Sequence, residues 1–295
     1  MRHFCTLFDK NYASRGLALH ESLKLHTSEP FTLHVLCMDR DTFWLLDELK
    51  LDNVELMQRD SFERNMPMQR AIESRTWVEY LWTCASSACE YLMQFEGIDE
   101  ITYLDADLFF FSDPRTVFDE IGQRSIAIVP HRFPPHLKRL EVNGIYNVGW
   151  VTFRENGMHC LRKWAAQCRE WCFHRNEAGK FGDQKYLDHF ERDYGKAVAV
   201  IENIGVGLAP WNISQYKVES LNWRPMVNGQ DVVFYHFHEY KDAARPTNYP
   251  LRAEDKRCIY APYIEALSRA DIRLKHAQQR LNAAREAMAA QAVRA

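Results

Sequence analysis

The sequence predicts an α/β domain built on a mixed, mostly parallel sheet flanked by helices, and three observations carry that prediction. Apolar runs of strand length recur along the chain, rich in β-branched and aromatic residues: "HFCTLF", "FTLHVLCM", "VELM", "ITYLDADLFFF", "SIAIVP", "VGWVTF", "AVAVIE" and "DVVFYHF". Between several of them apolar residues repeat at three and four positions, as in Val78, Leu81, Trp82, Ala85, Ala88 and Leu92, which is the period of an amphipathic helix. No internal repeat and no Pro/Gly/Ser linker interrupts this alternation. Strands and helices therefore belong to one sheet-centred unit, whose ligands are expected beyond the carboxyl ends of the strands.

With 295 residues, 46% of them hydrophobic, the chain can bury a large core. We place one domain over residues 1–262 and a helical extension over 263–295. The extension, "EALSRADIRLKHAQQRLNAAREAMAAQAVRA" from Glu265, contains neither Gly nor Pro and is rich in good helix formers. Its apolar stripe is thin and its bases outnumber its acids. Packing on the domain is expected, with peripheral membrane docking or self-association as further uses. The opening "MRHFCTLFDKNYASRG" lacks the apolar core of a signal peptide, and no run approaches the ~20 apolar residues of a membrane span. The expected location is the cytoplasm, extending to the inner face of the membrane.

A formal net charge of −3 without a basic patch argues against a nucleic-acid partner. The eight cysteines form no C-x-x-C pair, which argues against a zinc ribbon or a disulfide scaffold. Cys168 and Cys172 share a helical stripe with Leu161, Trp164, Ala165 and Trp171, and are expected to pack as small apolar residues.

Within "ITYLDADLFFF", Asp105 and Asp107 interrupt a run that reads as a buried strand. A buried carboxylate must recover its lost hydration from a hydrogen bond, a counter-charge or a metal ion. In extended backbone residues i and i+2 face one side, so the pair can present its oxygens together to a hard divalent cation, Mn²⁺ or Mg²⁺, completed by phosphate oxygens. Solvated loop acids and helix caps are the common alternative for this spacing. The apolar strand before the pair and the turn-forming Ser112, Asp113 and Pro114 after it favour a metal-diphosphate site.

At these residues the sequence resembles the GT-A-fold glycosyltransferases, especially family 8, which includes glycogenin and bacterial lipopolysaccharide sugar transferases. "YLDADLFFFSDP" is similar to the D-x-D strand of that family, and four further blocks follow its order: "TLFDKNYASRGLALHESL", "YNVGW", "FGDQKYLD" and "VVFYHFHEYK". Together they span residues 4–241. The resemblance implies that Thr6, Leu7, Phe8 and Tyr12 surround a nucleotide, with Ala106 between the aspartates beside it. It implies that Asp105, Asp107 and His236 hold the metal, that Asn147 and Asp183 contact the donor sugar, and that Gln184 lines the same pocket. Trp82 falls where the family often has a base, leaving Arg75 as the nearest substitute, and Lys241 is the candidate for the diphosphate. His238 shares a face with His236 and could exchange with it. Trp211 and Asn212, on a loop, are candidates for the acceptor side. Several of these have plainer readings: a cap for Asp183, a turn for Asn147, core packing for Trp211.

The function implied is metal-dependent transfer of a sugar, with retention of configuration, from a nucleoside diphosphate to a glycan, lipid-linked or protein acceptor. The alternatives are a metal-dependent phosphohydrolase, disfavoured because Leu108 and Phe109 stand where such enzymes have a small flexible loop, and a non-catalytic carbohydrate-binding protein.

Overall fold

The computed structural model describes residues 1–292. Seven strands form the main sheet: β1 (Arg2–Phe8), β2 (Phe31–Cys37), β3 (Val54–Gln58), β4 (Glu100–Leu104), β6 (Ile126–Pro130), β7 (Tyr146–Arg154) and β8 (Val198–Val200), in the order β3-β2-β1-β4-β7-β6-β8. β5 (Leu108–Phe110) lies outside it. All neighbours pair in parallel except β7, which runs antiparallel to both β4 and β6. The expected mostly parallel sheet is therefore present. The chain runs outward from β1 to β3 and then returns to β4 on the other side of β1, so the carboxyl ends of β1 and β4 flank a topological switch point, where such sheets leave a crevice.

β1 explains why its sequence is apolar almost throughout. Phe4 and Phe8 pack into one layer of core while Cys5 and Leu7 pack into the other. A strand covered on both faces needs a continuous apolar run. Helix α1 (Ala13–His26) seats directly on its end, because Gly16 leaves room for the Phe8 ring; a Cβ there would lie 2.3 Å from it. Helix α2 (Arg40–Leu49) starts at Asp39, whose carboxylate accepts from the Thr42 N–H. Helix α3 (Trp77–Phe95) opens with a capping box between Thr76 and Glu79 and packs against β1, β4 and α4 (Met158–Glu170); of the predicted stripe Ala85, Ala88 and Leu92 are buried, Leu81 and Trp82 partly so, and Val78, in the first turn, is exposed.

The C-terminal helix α5 (Ala261–Ala292) packs across α1 and α2, where Arg273 pairs with Glu21 and Arg280 with Glu48. All eight cysteines are free and buried. No helix among the described residues is long and apolar enough to cross a membrane.

Two features depart from the expectation. "ITYLDADLFFF" is not one strand: β4 stops at Leu104, residues 105–107 turn, and β5 leaves in a new direction, with the Leu108 N–H donating to the Asp105 carbonyl. The side-by-side rule for extended residues therefore does not bring the aspartates together; the turn does. A small antiparallel sheet of β9 (Val218–Leu221), β10 (Arg224–Val227) and β11 (Gln230–Asp231) also forms, with β10 and β11 joined through Asn228-Gly229. The last strand, β12 (Phe234–His236), pairs with β5 and sets His236 opposite Leu108, next to Asp107.

Candidate active site

The turn after β4 is fixed from both sides. Asp105 extends the ladder by donating its N–H to the Gly149 carbonyl of β7, and the Asp107 carbonyl accepts from the Phe237 N–H beyond β12. These bonds gather Asp105, Asp107 and His236, each able to bring one ligand atom within 4.8 Å of the other two. His236 Nε2 lies 3.1 Å from Asp107 Oδ1 and 3.6 Å from Asp105 Oδ2. Asp107 and His236 are buried and Asp105 is half-buried.

The charges answer one another. Burial disfavours a proton on His236, but Asp107 and Asp105 outweigh it and raise the imidazole above its ordinary value. Burial likewise works against the charge on Asp107, yet His236, with smaller help from His238 and Arg15, holds that carboxyl below the usual range. Asp105 is pushed up to about 6, mainly by burial, with Asp107 adding to it. The imidazole is thus held toward its charged form beside the carboxylate pair.

Asn147 settles the tautomer of His236. Its Oδ1 accepts from the Gly149 N–H at 2.8 Å, which fixes the amide orientation, and the same oxygen lies 3.2 Å from His236 Nδ1. Nδ1 must then carry the hydrogen, leaving Nε2 to face the carboxylates as a lone-pair donor once its proton is lost. The other end of the amide reaches His131 Nε2 at 3.2 Å. A bulge aims Asn147 inward, since the register of β6 on β7 jumps from Ile128–Val151 to Val129–Asn147. Gly149 is required beneath this arrangement: a Cβ would lie 2.5 Å from Asn147 Oδ1 and 3.1 Å from His236 Nδ1. Two carboxylates and one imidazole, held by a further hydrogen-bonded layer, are a donor set that fits a divalent cation.

Asp183 comes to the same place from another element. It precedes a 3₁₀ turn (Gln184–His189), but its side chain does not cap that turn. Burial and the charge of Asp105 push its carboxyl up to about 8. Trp82 packs under the preceding Gly182, 3.4 Å from where a Cβ on that glycine would stand, in a cluster with His174 and Phe181. Gln184 donates to the Asn143 carbonyl at the rim.

The remaining expected residues are distributed otherwise. Thr6, Leu7 and Phe8 are core residues, at most 6% exposed, so their side chains pack inside the protein; Thr6 keeps a buried hydroxyl without a partner. Tyr12 is exposed beyond them, within reach of the charge of Asp107. Ala106 is buried inside the turn. Arg75 does not join the cluster: its guanidinium donates to the Glu170 carbonyl at the end of α4 and stacks 3.8 Å from the Phe173 ring. Lys241 is exposed on the loop that follows. His238 is outside the three-residue group, with its ring edge on His236 and Trp211. Trp211 is 5% exposed and donates to the His131 carbonyl, while Asn212 is fully buried and bonds to the His131 and Gly207 carbonyls. Both shape the loop behind His236 instead of presenting a face to solvent.

Sequence reasoning missed three nearby groups. His131 is buried against Asn147, and nothing in its spacing marks it. Asp9 accepts from the Asn11 N–H and from the Trp77 indole N–H, at the carboxyl end of β1. Arg15 lies over the Tyr12 ring at 4.4 Å and donates to the Tyr240 carbonyl at 2.9 Å. Its signal was legible: an arginine in the first turn of a helix sits where the helix dipole disfavours a cation.

No family model matches the chain. Two proteins of Bacillus subtilis (strain 168), named only as the uncharacterized proteins YfnD and YfnF, are each 29% identical to it. YfnD aligns over 279 residues, 90% of this chain and 89% of its own, and YfnF over 252 residues, 81% of each. Among solved structures, the galactosyltransferase LgtC in complex with donor and acceptor sugar analogues superposes with a TM-score of 0.57 at 13% identity, covering 90% of this chain and 95% of its own. Mouse xyloside xylosyltransferase 1 gives 0.52 at 15% identity, covering 85% and 99%. The glycosyltransferase GlyE of Streptococcus pneumoniae TIGR4 gives 0.54 at 14%, covering 95% and 63%. At these identities the likeness is one of fold, and the fold is that of the GT-A glycosyltransferases.

Proposed function

We propose that this chain is a metal-dependent glycosyltransferase that moves a hexose from a nucleoside diphosphate, UDP in the first instance, to a glycan or lipid-linked acceptor with retention of configuration. The observation that carries the proposal is the gathering of Asp105, Asp107 and His236 at the switch point of a GT-A sheet, with Asp183 behind Asp105. Asp105, Asp107 and His236 Nε2 would hold Mn²⁺ or Mg²⁺. Such a cation, when bound, stabilises the charge that develops on a departing diphosphate.

The rest follows from the chain's own groups. Asp105 and Asp107 orient the site and are not nucleophiles. Asn147 keeps Nδ1 of His236 protonated and so keeps Nε2 available. Asp183, whose carboxyl is pushed up to about 8 by burial and by the charge of Asp105 when no metal is bound, faces a sugar hydroxyl of the donor, with Gln184 beside it. The D-x-D turn, the Asn-x-Gly segment, the Gly-Asp-Gln block and the His-Phe strand each bring a residue near Asp105 or His236, which supports the reading.

A screen of nucleotide-sugars for thermal stabilisation tests the reading. Stabilisation by UDP-hexoses that requires Mn²⁺ or Mg²⁺, with slow hydrolysis of the same compound, is the expected result. Phosphate release from simple monoesters without any nucleotide response contradicts it.

A further inference from the structure

We infer that the guanidinium of Arg15 grips the diphosphate of the donor, the place that the sequence assigns to Arg75 or Lys241. This inference rests on the nucleotide-sugar reading and adds to it the residue that recognises the phosphates. The need for such a residue follows from charge. Two carboxylates offset the charge of one divalent cation, so a loaded cluster is close to neutral and leaves the diphosphate, which gains negative charge as the sugar departs, short of a counter-charge.

Arg75 does not meet that need, since its guanidinium is bound to the end of α4, and Lys241, exposed on the loop after Tyr240, has no contact among the described residues that fixes it at the cluster. Arg15 is placed differently. It is the third residue of α1, in a first turn that holds no acid. A cation there costs free energy against the helix dipole unless an anion comes to face it. Backbone hydrogen bonds tie it to the cluster: the Phe237 N–H donates to the Asp107 carbonyl at 2.9 Å, the Tyr240 N–H donates to the Phe237 carbonyl at 3.0 Å, and the Tyr240 carbonyl accepts from Arg15 Nη2.

Tyr12 lies against the guanidinium at 4.4 Å and limits its freedom. Among the described residues no carboxylate pairs with Arg15. Of its five N–H donors, one goes to Tyr240 and one makes a long contact of 3.4 Å to the Asn11 carbonyl. Three remain, in the planar fork that matches phosphate oxygens. The charge of Arg15 already reaches Asp107, where it adds to the larger effect of His236.

The test compares wild type with Arg15→Gln and Arg15→Lys by calorimetric titration of UDP, UMP and uridine in Mn²⁺, together with Mn²⁺ alone. In Arg15→Gln, UDP affinity falls about tenfold or more, the loss shrinks for UMP and vanishes for uridine, and Arg15→Lys recovers part of it. Mn²⁺ alone binds as well as in wild type or more tightly, because a positive charge near Asp107 is gone. That sign separates a phosphate contact from a residue that merely supports the metal turn. UDP affinity within twofold of wild type in Arg15→Gln overturns the inference, as does an equal loss for UDP and uridine. Wild-type protein that binds no UDP with any divalent cation overturns the transferase reading and this inference with it.

Discussion

Asp107 and Asp183 are both buried carboxylates at one site, but Asp107 faces the imidazole of His236 at 3.1 Å while Asp183 faces the like charge of Asp105. The first is held ionised below the usual carboxylate range despite its burial. The second has no cationic partner among the described residues and keeps its proton up to about pH 8. Burial is common to both, so the partner decides the charge state. One corner is thereby prepared to receive a cation and the other to donate a hydrogen bond.

Removing the ionised corner should have the largest effect. Asp107→Ala takes away a ligand and strands His236 without its nearest carboxylate; metal-dependent nucleotide binding should disappear and UDP-sugar hydrolysis fall more than about 100-fold, beyond what loss of a supporting residue costs. Steady-state hydrolysis and calorimetry report the two effects. The supporting layer comes next. Asn147→Ala frees the tautomer of His236, and Gly149→Ala drives a methyl group into Asn147 Oδ1 and His236 Nδ1. Each should weaken Mn²⁺ binding by roughly 10–100-fold while leaving the far-UV spectrum unchanged.

The protonated corner responds to pH. Between the ordinary value of 3.8 and about 8, the folded protein holds a proton on Asp183 that the unfolded chain releases. Without metal, Asp183 therefore costs stability increasingly as pH rises through that window. Asp183→Asn should remove the cost: in urea denaturation the variant gains on wild type from pH 4 to pH 8, by on the order of a few kcal/mol at the upper end. A constant difference across that range would place the wild-type carboxyl at its ordinary value. The smallest effect belongs to Arg75→Ala, which loses the bond to the Glu170 carbonyl and the contact with Phe173. A loss of about 1 kcal/mol of stability, with UDP affinity unchanged, is expected.

The sequence revealed the ionised corner better than the protonated one. Asp105, Asp107 and His236 announce themselves because charged or titratable side chains interrupt apolar strands, and such runs have few ways to accommodate them. The bend between β4 and β5 did not announce itself, since Leu104 and Leu108 on either side are as apolar as any strand interior. Asn147 read as a turn or a sugar contact because its partner, His236, is remote in sequence and only the folded sheet brings them together. Asp183 read as a cap or a sugar contact for the same reason: its neighbour Asp105 comes from another element. The β10–β11 turn went unread although Asn228-Gly229 is a hairpin signal, because the strands around it are short and alternate little. Trp211 follows the plainer of its two readings, an aromatic on a loop that the fold turns inward to bond the His131 carbonyl.

The most direct measurement is electron paramagnetic resonance of Mn²⁺ titrated into the protein with saturating UDP. The account predicts one bound ion per chain, lost in Asp107→Ala and in His236→Ala, and retained in Asp183→Asn. Wild-type protein that leaves all Mn²⁺ free, or an Asp107→Ala variant that binds it with unchanged stoichiometry and affinity, would contradict the assignment of this cluster as the metal centre.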